Sequence, residues 1–139
     1  MSNDYLFVYG TLRAGYDLDL KRKIKQNLKY MGKGKIEARL FDLGEYPGAV
    51  KTKKGDEVIG DIFQINDPDK VLKILDRYEG FNKNKIENSE FVRSKNQVKI
   101  NGKSIDAWVY WYNLQPDKKS RIKNKDYLNY LVKKKESIT

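Results

Sequence analysis

The chain has 139 residues, about one domain's worth, with 29 Lys and Arg against 19 Asp and Glu, a net charge of +10, and neither cysteine nor histidine. The missing cysteines exclude disulfides, thiolate nucleophiles and Cys-ligated metal centres, and the missing histidines exclude Ser-His-Asp and Cys-His catalysis and imidazole ligation. Proton transfer near neutral pH then falls to a carboxylate or lysine with a displaced pKa, to tyrosine, or to the N-terminal amine.

The run Tyr5-Leu6-Phe7-Val8-Tyr9, aromatic and β-branched and closed by Gly10, predicts a buried first strand followed by a loop over 10–17. Apolar residues at 18, 20, 24 and 28 among Lys and Arg predict an amphipathic helix over 18–28. Ile36, Ala38 and Leu40 alternate with the period of a half-buried strand, and Tyr46-Pro47-Gly48 reads as a turn or bend. Ala49–Thr52, the turn Lys53-Lys54-Gly55-Asp56 and Glu57–Ile65 read as a hairpin, with Gly60 marking a bulge or a close approach.

Asn66-Asp67-Pro68-Asp69 predicts a helix start, with Asp67 as N-cap and Pro68 in the first position. Val71, Leu72, Ile74, Leu75 and Tyr78 form its apolar face, and Gly80 stops it. Phe91–Ser94, Gln97–Ile100 and Ile105–Tyr112 read as strands, the last two joined by Asn101-Gly102. The lysine-rich stretch 115–125 reads as a loop, and Tyr127, Leu128, Tyr130, Leu131 and Val132 predict a terminal helix. The expected organisation is one α+β domain over residues 1–132, strands dominating and about three helices covering them, with a frayed basic tail at 133–139. Without a run of 18 apolar residues or a charged leader before an apolar stretch, a soluble, cytoplasmic protein is expected.

Two segments carry candidate chemistry. In Val8-Tyr9-Gly10-Thr11-Leu12-Arg13 a glycine and a hydroxyl follow a buried strand, where successive backbone N–H groups can hold an anion; the plainer reading is that Gly10 only ends the strand. In Leu75-Asp76-Arg77-Tyr78-Glu79-Gly80 two acids stand at the negative end of a helix dipole, in a chain rich in lysine. That position and any burial raise the pKa of Glu79 toward the range of a general base; the plainer reading is a solvated Glu79 paired with Arg77 or Lys83. The lysine clusters 21–25 and 133–135 are spread among acids, so a nucleic-acid partner is not expected, and no carboxylate cluster, Walker loop or GxGxxG predicts a metal or nucleotide.

Val8-Tyr9-Gly10-Thr11-Leu12, Tyr46-Pro47-Gly48, Leu75-Asp76-x-x-Glu79-Gly80 and Ala107-Trp108-Val109-Tyr110, in this order, resemble the γ-glutamylcyclotransferase-like superfamily, in particular its γ-glutamylamine cyclotransferase and AIG2-like branch. The resemblance spans roughly residues 5–112. It implies a small, twisted mixed β-barrel with flanking helices, and a substrate loop of Tyr9, Gly10, Thr11 and Leu12. It implies Glu79 as the catalytic acid–base residue, and a reaction without metal or cofactor in which the α-amine of a γ-glutamyl group attacks its own γ-carbonyl, releasing an amine and 5-oxoproline. Tyr46 and Pro47 are candidates for the same pocket, and the chain reads Phe91-Val92-Arg93 where members often carry Tyr-x-Arg. The implied partner is a small γ-glutamyl molecule, with no membrane; the leaving amine and the oligomeric state are left open. The alternative is a metabolite- or nucleic-acid-binding module on the same fold.

Overall fold

The computed structural model describes residues 4–10, 12–13 and 19–138, with residues 137 and 138 as backbone only. Its elements are β1 (Asp4–Val8), α1 (Asp19–Ile24), β2 (Leu28–Asp42), β3 (Pro47–Lys51), β4 (Glu57–Ile65), α2 (Pro68–Glu79), β5 (Phe91–Ile100), β6 (Lys103–Tyr112), β7 (Arg121–Ile122) and α3 (Tyr127–Ile138). Five strands run in the order β2-β4-β1-β6-β5, and the pairing of Lys35 with Lys99 brings β5 back to β2, which closes a barrel. All of its pairings are antiparallel except β1 with β6, so the barrel is mixed. With three helices around one barrel, the fold is the α+β architecture that the resemblance implies.

Both faces of β1 are buried, which accounts for its unbroken apolar run. Phe7 and Tyr9 join Ile36, Ala38, Ile62 and Val109 in an inner cluster, while Leu6 and Val8 join Phe63 and the α2 residues Val71, Leu72 and Leu75 in an outer one. The alternation along β1 therefore divides the core in two, and α2 is held against the outer face. Gly60 marks a close approach rather than a bulge: a Cβ there would lie 2.3 Å from the Val8 carbonyl oxygen and 2.6 Å from the Phe7 ring.

Several expectations need correction. Residues 49–65 do not form a hairpin, because β3 and β4 both pair with β2, β3 along 38–42 and β4 along 28–37. The physical reason is the length of β2, 15 residues, which offers a partner to each in turn. Its register shifts between Tyr30 and Gly32, so alternation is clean only beyond that bulge. The first helix ends at Ile24, a 3₁₀ turn covers Lys25–Asn27, and Leu28 already belongs to β2; Leu18 lies outside the described residues. Asp67 stands at the N-cap position of α2, but its backbone is left-handed (φ 56°) and its side chain makes no capping bond. Phe91–Ile100 is one strand rather than two, the 115–125 segment contains β7, and α3 continues to Ile138 across the basic run expected as a tail.

Candidate active site

The last turn of α2 is fixed by its end. Gly80 takes a left-handed conformation (φ 71°), its N–H donates to the Arg77 carbonyl, and the Phe81 N–H donates to the Asp76 carbonyl at 2.8 Å. This double bond pattern is the helix-ending motif that favours glycine, and it leaves Glu79 as the final helical residue.

One turn earlier, Asp76 is buried and answers for its charge. Arg93 on β5 donates to both of its oxygens, at 2.7 and 3.1 Å, and the Tyr110 hydroxyl on β6 donates at 2.6 Å. The guanidinium also lies 4.5 Å from the Trp108 ring centre, so the ion pair is enclosed by aromatic surface. These bonds join the end of α2 to two barrel strands.

Glu79 is treated otherwise. It makes no hydrogen bond or ion pair with any described residue, so it pairs with neither Arg77 nor Lys83. The residue keeps part of its surface open to a cavity, yet its carboxyl is densely surrounded by protein. Desolvation, and then the negative charge of Glu90, push its pKa up to about 8. At neutral pH this group can exchange a proton in either direction.

The cavity, about 320 Å³, falls in the size range of small-molecule sites. Tyr9, Gly10 and Leu12 line it together with Glu79, so the structure brings these four candidates to one place; Thr11 lies outside the described residues. The Tyr9 hydroxyl is already engaged: it donates to the Tyr110 carbonyl at 2.7 Å and accepts from the Ala49 N–H at 3.1 Å. Burial raises its pKa, so Tyr9 offers the cavity a ring and a fixed wall rather than a titrating group. The space left by the missing side chain of Gly10 is used by the protein itself, because a Cβ there would come within 3.0 Å of the Pro47 ring. Pro47 and Tyr46 are also at the cavity, as the sequence suggested.

Two further acids line the site that sequence reading did not single out, Glu45 and Glu90. Glu90 is carried by the segment before β5, where its N–H donates to the Gly80 carbonyl at 3.3 Å and its carbonyl accepts from the Asn113 N–H at 2.8 Å. Its carboxylate accepts a short hydrogen bond from the Tyr46 hydroxyl, which pushes the phenol pKa up to about 12. No local spacing announces Glu90; its place depends on the fold of residues 81–90 back onto the end of α2. Arg13, buried at 2% exposure, pairs with Asp61 at 3.4 Å and Asp126 at 2.5 Å, and so anchors the end of the Tyr9–Arg13 segment to β4 and to the start of α3.

Comparison with known proteins gives the family and the fold. Residues 6–129 match the family described as γ-glutamyl cyclotransferase, AIG2-like. A provisionally named γ-glutamylcyclotransferase of Methanocaldococcus jannaschii is 31% identical over 112 residues, covering 78% of this chain and 84% of that protein. Among solved structures, an AIG2-like protein from Mus musculus superposes with a TM-score of 0.70 at 22% identity, covering 91% of this chain and 89% of its own. YkqA from Bacillus subtilis superposes with a TM-score of 0.72 at 18% identity over 97% of this chain, which spans 43% of the YkqA chain. These structural likenesses establish the fold.

Proposed function

Because the chain belongs to the γ-glutamyl cyclotransferase, AIG2-like family, we propose that it converts a γ-glutamyl compound to 5-oxoproline and a free amine, with Glu79 as the acid–base residue. The observation that carries this reading is the unpaired, desolvated Glu79 carboxyl beside the cavity, its pKa raised to about 8.

The chemistry needs one proton carrier and no external nucleophile. Glu79 as a carboxylate takes a proton from the substrate's α-ammonium, and the freed nitrogen attacks the γ-carbonyl carbon of the same molecule. The new C–N bond closes a five-membered ring, and the carbonyl oxygen becomes an oxyanion. Glu79, now a carboxylic acid, protonates the departing nitrogen, and the old C–N bond breaks as the carbonyl reforms. The attacking nitrogen loses two protons in all and the departing one gains two, so a carboxyl cycling twice between its forms balances the reaction without water. A pKa lifted toward that of an amine makes each transfer nearly level in energy. Backbone N–H groups of the Gly10–Leu12 segment are the candidates for holding the α-carboxylate or the oxyanion.

The reading extends to a cytoplasmic setting and a reaction without metal or cofactor. No helix among the described residues is long and apolar enough to cross a membrane. The test is release of 5-oxoproline from a panel of γ-glutamyl amines and γ-glutamyl amino acids by wild type and Glu79→Gln. Release by wild type that is lost in the folded variant supports the proposal. Equal release by both removes Glu79 from the mechanism, and saturable binding without product favours a metabolite-binding role.

A further inference from the structure

Resting on the cyclotransferase reading, we infer that Arg13 is the positioning residue of the substrate loop: by tying the loop's far end back to the barrel, it holds the backbone N–H groups of the Gly10–Leu12 segment in place for the substrate's α-carboxylate. The need for such a residue comes from the cavity. Its described lining contains Glu45, Glu79 and Glu90 and neither lysine nor arginine, so no side-chain cation there meets an incoming carboxylate. Recognition of that anion against three acids falls to backbone N–H groups, which hold an anion only when several of them are fixed toward one point.

Arg13 is not among the lining residues, and its buried guanidinium is spent on Asp61 and Asp126, so it acts through the loop and not on the substrate. Asp61 holds both ends of that loop. Its backbone stands opposite Val8, the last residue of β1, and its carboxylate accepts from Arg13 Nε at 3.4 Å. The bare Cα of Gly60 lets β4 come this close, since a Cβ there would lie 2.3 Å from the Val8 carbonyl oxygen. The backbone bond across the turn, from the Arg13 N–H to the Gly10 carbonyl, is long at 3.3 Å, so the turn leans on the side-chain anchor.

Asp126 extends the anchor to the C-terminal helix. Its Oδ1, 2.5 Å from Arg13 Nη1, also accepts from the Leu128 and Asn129 N–H groups at 3.0 and 3.3 Å. The carboxylate that caps α3 is thus the one that braces the loop. Reaching two carboxylates on separate elements from one side chain is a task for the guanidinium fork, which a point-like ammonium does not reproduce.

The test uses two ligands that differ only in the α-carboxylate, γ-glutamyl-butylamine and 4-amino-N-butylbutanamide, and measures their affinities by calorimetry on Glu79→Gln protein, where neither is turned over. The carboxylated ligand binds more tightly by about tenfold or more. Two further substitutions are added singly: Arg13→Lys keeps a charge between the aspartates but loses the fork, and Asp126→Asn keeps an acceptor for the α3 N–H groups but loses the charge. In each, the preference shrinks to about threefold or less, while affinity for the ligand without the carboxylate stays within about twofold. A merely structural role lowers both affinities together and leaves their ratio unchanged. With Glu79 intact, the same substitutions raise KM for 5-oxoproline release more than they lower kcat. A preference near one before substitution, no binding of either ligand, or a preference unchanged in the variants overturns the proposal; if Arg13→Lys does not fold, Asp126→Asn decides. Release by wild type is scored separately: if none occurs, the cyclotransferase reading fails, and the ratio of affinities still decides the role of Arg13.

Discussion

The proposed role asks Glu79 to be acidic enough to ionise and hidden enough to hold a proton, and the setting of this carboxyl carries a cost in stability. The anion lies at the negative end of α2, without a hydrogen bond and with Glu90 nearby. Its folded pKa of about 8 stands above the ordinary 4.5, so the folded state binds the proton more tightly than the unfolded chain. Stability from this group is therefore fully present below about pH 4.5 and is lost as pH climbs through 8. Glu79→Gln should match wild type in acid and exceed it above pH 8 by about 3–5 kcal/mol, the gap opening across that window. Urea unfolding at several pH values measures it, and parallel curves would refute the burial of this carboxyl. Glu79 stood out in sequence as a candidate because an acid beside a helix-stopping glycine offends a local rule, while its catalytic role was implied only by the family resemblance. Asp76 offends the same rule, yet its ion pair with Arg93 and the hydrogen bond it accepts from Tyr110 span 17 and 34 residues and could not be seen locally.

Among the elements, α2 was legible almost to the residue, from Pro68 to the glycine that ends it, because its start, face and stop are all local signals. The long strand β2 was not. Only Ile36, Ala38 and Leu40 alternate clearly, since the bulge at Tyr30–Gly32 breaks the phase, and the pairing of β3 with its far half depends on its length. Asp67 shows the limit of residue type alone: it stands at the cap position, but a left-handed backbone keeps its side chain from capping. The consequence of the Asp76 contacts belongs to this scale, because they tie α2 to β5 and β6. Asp76→Asn leaves the largely buried Arg93 guanidinium without its anion and should cost about 2–4 kcal/mol. Thermal or urea unfolding checks this, and a loss below about 0.5 kcal/mol would show that the pair does not secure the helix.

Across the whole molecule, the barrel closes where β2 meets β5, and the pair that closes it is Lys35 opposite Lys99, both exposed. Like charges directly across strands are mildly unfavourable, so Lys99→Glu should stabilise the protein by about 0.2–1 kcal/mol, an effect that fades as salt is added. No change, or a loss, would mean that the two side chains diverge enough to ignore each other. The closure was beyond periodicity, which reports faces but not partners; it was expected only through the family resemblance. The same resemblance named the loop and Glu79, whereas Glu45 and Glu90 emerged only when distant segments were brought to one cavity. A protein of net charge +10 thus lines one cavity with three acids and, among the described lining residues, neither lysine nor arginine.

The central claim is that a carboxyl with a raised pKa moves the protons of an intramolecular cyclisation. Its most direct test is the pH dependence of kcat/KM for 5-oxoproline release by wild type and Glu90→Gln, with Glu79→Gln as the blank. The account predicts activity that rises through a limb near pH 8 in wild type, a limb displaced to lower pH when the Glu90 charge is removed, and no release in the blank. A limb that stays in place in Glu90→Gln, or release that persists in Glu79→Gln, would contradict it.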